Sequence, residues 1–196
     1  MTQKKKNILI INGHPDNESY NFALAQAYKT GAVNGGAVVD EIIVRDLQFN
    51  PILNYGYRKR TILEPDLEAA WKKIMWADHL VFVYPVWWGS TPALLKGFID
   101  RVFLPGFAFK IRDNSLLWDK LLTGRSAHII CTLDQPNWYY WLMYGSPSHK
   151  AMKKSTLQFC GVNPVRITAI GPILDSKEVN RKKWLARIEQ MGTKLK

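Results

Sequence analysis

The sequence predicts an α/β protein: a doubly wound parallel sheet with helices on both faces. Five short apolar runs alternate with longer amphipathic segments, and the runs are apolar nearly throughout. Runs such as Leu80-Val81-Phe82-Val83 suit strands buried on both sides, joined by right-handed helical crossovers.

In order, strands are expected at residues 8–11, 38–44, 80–84, 127–132 and 165–170, and helices at 19–31, 66–76, 92–103, 148–159 and 177–194. The first strand leads into a turn-rich loop that opens directly into the first helix. Thr91-Pro92 marks the start of the third helix, a hydroxyl N-cap followed by a proline whose missing N–H costs nothing there. In the last helix Trp184, Ile188, Met191 and Leu195 recur at helical spacing and leave Lys182, Lys183 and Arg187 outside. Residues 48–65, 107–124 and 135–147 read as irregular. No repeat, low-complexity tract or linker divides the chain, so residues 1–196 are expected to form one domain.

Composition narrows the function classes. A hydrophobic fraction of 47% with 22% charged residues is globular, and no apolar run approaches the roughly 18 residues of a membrane helix. Lys4 to Lys6 precede only four apolar residues, too few for a signal-peptide core, so a cytoplasmic location is expected. Cys131 and Cys160 form no CxxC and lie in apolar sequence, as buried free thiols do. The four histidines show no metal-ligand spacing, so no metal is expected. Basic residues outnumber acidic ones 27 to 16, a net charge of +11, which invites anionic partners. They fall in short bursts rather than one stripe, so no nucleic-acid partner is expected.

Three loops carry candidate chemistry. Asn12-Gly13-His14-Pro15-Asp16-Asn17-Glu18-Ser19-Tyr20-Asn21 would place a helix N-terminus, with its free N–H groups, where it can hold a phosphate. An ordinary capped loop is the competing view, because Asp16 and Glu18 would oppose an anion unless they point outward. The segment Tyr84-Pro85-Val86-Trp87-Trp88-Gly89 ends the central strand, where open α/β sheets bind ligands, and its tryptophans could wall a flat ring or fill the core. The aromatic stretch Trp138-Tyr139-Tyr140-Trp141 suggests a ligand wall or a subunit contact. Gly124-Arg125-Ser126-Ala127-His128 approaches a nucleophile elbow but lacks the closing glycine and enters a strand.

These pieces also occur in a familiar order. Gly13-His14-Pro15 with Ser19-Tyr20-Asn21, Phe49-Asn50-Pro51, Pro85-Val86-Trp87-Trp88 with Pro92-Ala93-Leu94-Leu95-Lys96-Gly97, and Arg101-Val102-Phe103 with Gly106-Phe107-Ala108-Phe109 together resemble the flavodoxin-like NAD(P)H:quinone oxidoreductases. The match runs over about residues 7–162. That family includes mammalian quinone reductase and the bacterial drug-activity modulator and potassium-efflux ancillary proteins.

The resemblance implies a flavodoxin-like five-stranded sheet of order 2-1-3-4-5, a noncovalent FAD or FMN, NAD(P)H as co-substrate, and a homodimer with active sites at the subunit interface. By position, His14, Ser19, Tyr20 and Asn21 would meet the flavin phosphate end. Pro85, Val86, Trp87, Trp88 and Gly89 would line the isoalloxazine, and Thr132, Leu133, Asp134 and Gln135 its other edge. Tyr140 falls on the family's catalytic tyrosine, whereas its histidine position reads Tyr144 or Ser146, with His149 out of register. Phe107, Phe109 and Trp138 would line the substrate pocket, Phe109 replacing a tyrosine contributed across the dimer. The implied activity is ping-pong hydride transfer from NAD(P)H through flavin N5 to a quinone or similar flat acceptor. The alternative is an ancillary flavoprotein subunit docked on a membrane transport protein.

Overall fold

The computed structural model describes residues 5–194. Five parallel strands form one sheet: β1 (Asn7–Asn12), β2 (Val38–Ile43), β3 (His79–Pro85), β6 (Ser126–Thr132) and β7 (Val165–Ile170), in the order β2-β1-β3-β6-β7. This is the predicted 2-1-3-4-5 arrangement. A two-stranded antiparallel hairpin, β4 (Phe109–Ile111) with β5 (Trp118–Lys120), precedes β6.

Period-two alternation sorts the apolar strand residues into two cores. Leu9, Ile11, Leu80, Phe82, Tyr84, Ile129 and Cys131 pack beneath α2 (Pro65–Trp76) and α3 (Ala93–Val102). Ile8, Ile10, Val81, Val83 and Ile130 pack beneath α1 (Tyr20–Asn34) and α6 (Glu178–Thr193). Every residue of β3 is buried, as a central strand covered on both faces requires.

Glycine lets α1 and α6 approach closely. A Cβ on Gly31 would lie 1.8 Å from the Glu189 carbonyl oxygen, and one on Gly192 would lie 2.3 Å from that of Tyr28. On the other face Arg101 is wholly buried and ion-paired to Glu64 at 2.7 Å. Its guanidinium also donates to the carbonyls of Asn50 and Ile62, which ties the long 48–64 connection to α3.

Four expectations need correction. Residues 137–144 form a helix, α4 (Asn137–Tyr144), inside the stretch read as irregular. Its apolar side chains run all the way round, so no amphipathic period marks it. The second irregular stretch, 107–124, contains the β4–β5 hairpin. Helix α3 is capped at Pro92 with no side-chain bond, and the Thr91 hydroxyl is buried without a hydrogen-bond partner rather than capping. The helix expected over 148–159 is α5 (Pro147–Lys150), which continues over Ala151–Gln158 as a wider π-type helix. Lys4 and Leu195 lie outside the described residues.

Candidate active site

Three loops meet at the carboxyl ends of β1, β3 and β6, at the point where the chain reverses its order across the sheet. They are locked together by backbone bonds: Gly13 N–H donates to the Val83 carbonyl (2.8 Å) and Val86 N–H to that of Thr132 (2.7 Å). The buried Asn21 amide donates to the Thr132 hydroxyl at 2.9 Å. Gly13 packs closely against α3, since a Cβ there would lie 2.5 Å from the end of the Leu95 side chain.

In the first loop Ser19 is the N-cap of α1 and accepts from Phe22 N–H at 3.2 Å. His14 Nδ1 lies 2.9 Å from the Asp16 amide, and Asp16 accepts in turn from Glu18 N–H. Both acids are exposed, which removes the objection that they would fill an anion site. Among the described residues, the Tyr20 and Asn21 amides have no acceptor, as the first turn of a helix leaves them. Asn21 Oδ1 is likewise buried without a partner. Tyr20 is anchored differently: its hydroxyl donates to the Arg181 carbonyl at 2.8 Å, and burial pushes its pKa up to about 12. Burial lowers the His14 pKa against the raising effect of Asp16, which favours the neutral ring.

The second loop makes the sharpest geometry. Trp87 and Ser90 exchange both backbone hydrogen bonds, at 3.0 and 2.9 Å, across a two-residue turn. Both central residues have positive φ, +49° at Trp88 and +71° at Gly89, the primed turn that glycine and asparagine usually occupy. A tryptophan in that conformation is strained by roughly 1–2 kcal/mol. The turn leaves the Trp88 and Gly89 amides without an acceptor among the described residues and holds the Trp88 ring wholly in solvent. Trp87 stands edge-on to His14, ring centres 5.5 Å apart.

The third loop starts at the buried Thr132 and Leu133, continues through exposed Asp134 and half-buried Gln135, and enters α4. Leu133 N–H donates to the Ile170 carbonyl at 3.0 Å, fixing the loop to β7. From α4 the buried Tyr140 reaches back, its hydroxyl accepting from Ser148 N–H at 3.1 Å and donating to the Gly89 carbonyl at 3.4 Å. Burial raises the Tyr140 pKa against the lowering effect of the Ser148 amide, so this phenol acts as a hydrogen-bond donor and not as a base at neutral pH.

The structure therefore gathers His14, Ser19, Tyr20, Asn21, the Pro85 to Gly89 segment, Thr132 to Gln135 and Tyr140 at one edge. Tyr144 and Trp138 stand on α4 with more than half their surface exposed. Phe107 and Phe109 are not brought to these loops within one chain: Phe107 stacks on Trp71 at 4.3 Å, and Phe109 stands edge-on to Phe159. Sequence reasoning gave Ser148 no role and set His149 aside as out of register with the family's histidine. His149 packs edge-on to Tyr140 at 5.2 Å with Nε2 3.3 Å from Cys131 Sγ, and burial lowers its pKa. The reversal at Gly145 (φ +66°) and Ser146 (φ +53°), which turns the chain from α4 into α5, brings both residues to Tyr140. A cavity of about 440 Å³ lined by Arg181, Lys183 and Trp184 adjoins the loop cluster through the Tyr20–Arg181 bond.

Ser126, in the near-miss nucleophile motif, opens β6 at the opposite edge of the sheet, where its hydroxyl lies 2.7 Å from Nδ1 of the buried His79. Among the described residues no three His, Cys, Asp or Glu side chains converge as a metal site requires, and no helix is long and apolar enough to cross a membrane.

Comparison with known proteins agrees with this fold. The chain is 25% identical to the ribosyldihydronicotinamide dehydrogenase [quinone] of Rattus norvegicus, over 95% of this chain and 92% of that protein. It is 27% identical to an NAD(P)H oxidoreductase of Haemophilus influenzae, over 85% of this chain and 84% of the relative. The crystal structure of Smu.1420 from Streptococcus mutans superposes with a TM-score of 0.83 at 29% identity, covering 96% of this chain and 99% of that one. The family model described as having a flavodoxin-like fold matches residues 6–192. The chain belongs to this Flavodoxin_2 family, whose relatives here include named NAD(P)H and quinone oxidoreductases.

Proposed function

We propose that the protein is a flavin-dependent NAD(P)H oxidoreductase that reduces quinones or similar flat acceptors in a ping-pong sequence. The observation that carries this is the primed turn at Trp88-Gly89: two outward amides and one fully exposed indole, held in strained backbone beside a helix N-terminus with open donors. Strain of this kind persists where the surroundings over-determine it, and it clusters at ligand sites. When bound, a flavin supplies hydride exchange at N5, which is the difficult part of the chemistry.

The residues fit such a group. The Tyr20 and Asn21 amides, with Ser19 and His14 nearby, suit a phosphate. The Trp88 and Gly89 amides suit the polar edge of a flat ring, where fixed donors favour the electron-rich reduced form. Trp87 and Trp88 provide ring faces, and the Thr132 to Gln135 loop closes the other edge. Tyr140 holds the turn through the Gly89 carbonyl and is our candidate donor to an acceptor oxygen when its single proton turns away from that 3.4 Å contact; Tyr144 is exposed beside it. The adjoining cavity with Arg181 and Lys183 is large and cationic enough to favour the adenylate of FAD over FMN.

A homodimer completes the pocket in this proposal. Ile111, Leu116 and Leu117 of the β4–β5 hairpin are exposed; Phe109 begins that hairpin and Phe107 precedes it, and a partner's site would meet this region. The test is initial-rate kinetics with NADPH or NADH and menadione. Parallel double-reciprocal lines are expected; intersecting lines at full flavin loading would refute the ping-pong sequence.

A further inference from the structure

Strand β7 leaves the sheet with an open edge, since it pairs with β6 alone. The Ala127 N–H donates to the Pro164 carbonyl and the Leu133 N–H to that of Ile170. This phase turns the backbone groups of residues 166, 168 and 170 toward β6 and those of 165, 167 and 169 outward. Asn137 Nδ2 donates to the outward Ala169 carbonyl at 2.8 Å. The N–H and C=O of Ile167 meet no partner among the described residues. Ile167 lines a cavity of about 480 Å³ between α4 and α6, within the roughly 300–1,000 Å³ of small-molecule sites.

The walls of this groove are aromatic and cationic. Trp141 lines it from α4, Trp184 and Arg187 line it from α6, and no carboxylate does. The Arg187 guanidinium lies over the Trp184 ring, 4.8 Å from its centre. It makes no ion pair among the described residues, so its N–H groups are free to meet an anion. Asn137 and Trp141 stand one turn apart on α4, and the rest of that helix's apolar surface is left to the partner subunit of the proposed homodimer.

We propose that the groove binds an adenine nucleotide. Adenine carries a donor at N6 beside an acceptor at N1, the complement of the C=O and N–H that Ile167 turns outward. Trp141 and Trp184 offer ring surface on which a base stacks, and the Arg187 N–H groups match a phosphate. The groove is distinct from the Trp88–Gly89 turn and needs no flavin. It shares Trp184 and Arg187 with the cavity proposed for the adenylate of FAD, which makes the FAD-loaded protein the necessary control. His149 lines the groove and packs on Tyr140 at 5.2 Å, so an occupant lies one side chain from the candidate active site.

The experiment is isothermal titration calorimetry of AMP into the full chain, flavin-free, loaded with FMN and loaded with FAD. Binding to all three is expected. IMP has the same size but a donor at N1 and an acceptor at O6. With its phosphate on Arg187 it leaves both Ile167 groups mispaired, and it should bind at least tenfold more weakly. Arg187→Gln, at an exposed position, should weaken AMP about tenfold and adenosine far less, whereas Trp184→Leu should weaken both at least fivefold. Absence of AMP binding, equal affinity for AMP and IMP, or AMP binding unchanged in Arg187→Gln overturns the proposal. So does AMP binding that FAD abolishes and FMN does not, which would make the groove part of the dinucleotide site. Both remaining outcomes support the groove and identify its source: AMP that competes with NADPH in turnover of the FMN-loaded protein marks the adenylate end of the nicotinamide donor, and AMP that does not compete marks a free nucleotide. AMP binding by a protein that retains no flavin supports the groove and refutes the proposed function separately.

Discussion

Replacing Trp88 by glycine should move stability and cofactor affinity in opposite directions. The indole is fully exposed, so its loss removes no packing from the folded chain. Its φ of +49° is strained, and relief should return roughly 1–2 kcal/mol, offset by about 0.4–1 kcal/mol of added unfolded-state freedom. The net expectation is a flavin-free protein more stable by about 0.5–1 kcal/mol, a rise of some 2–4 °C per kcal/mol in Tm for a chain of this size. Stacking a flat heteroaromatic on an aromatic side chain contributes about 1–3 kcal/mol, so the flavin Kd should rise by about fivefold to 150-fold. Urea denaturation of the flavin-free variant gives the first number and quenching of flavin fluorescence the second. A variant destabilised by more than 1 kcal/mol would show that the indole packs in the native protein, and an unchanged Kd would remove it from the cofactor site.

Tyr140→Phe deprives the buried Ser148 amide of its acceptor and the Gly89 carbonyl of its donor; we expect a loss of about 1–3 kcal/mol and slower turnover with flavin retained, and an unaltered kcat would exclude a role in the reaction. His79 supplies a pH dependence. Burial, then the nearby charges of Lys6, His128 and Arg166, lowers its pKa to about 3, so below pH 6.5 the unfolded chain takes up a proton that the folded one refuses, and stability falls with pH through that window. The loss from pH 6.5 to 4.5 should be on the order of 2–3 kcal/mol; His79→Gln should flatten the profile, and an equal slope in the variant would contradict the assignment. Gly31→Ala drives a Cβ onto the Glu189 carbonyl and should cost about 1–3 kcal/mol or more, measured as a lower urea midpoint, whereas Thr30→Ala on the exposed side should stay within about 0.5 kcal/mol.

The sheet was legible because its signal is local. Runs such as Leu80 to Tyr84 are apolar on both faces, and the helices between them show periodicity or a proline start, so all five strands lie within a residue of expectation. Helix α4 was illegible for the converse reason: Trp138 to Tyr144 is apolar in every direction, and only Pro136 before it and Gly145 after it carried information. The loop cluster was foreseeable from strand ends. Its decisive detail, positive φ at a tryptophan, was not, because it arises from the Trp87–Ser90 bond pair and the Tyr140 brace. The pairing of Tyr140 with Ser148 and His149 depends on the Gly145-Ser146 reversal, a tertiary event that residue spacing does not encode.

The central claim is tested most directly by the visible spectrum of the purified protein after incubation with FAD or FMN, followed by anaerobic addition of NADPH and then NADH. The account predicts oxidised-flavin bands that remain after gel filtration and bleach with at least one nicotinamide. Failure to retain either flavin, or bands that neither nicotinamide bleaches, would contradict it.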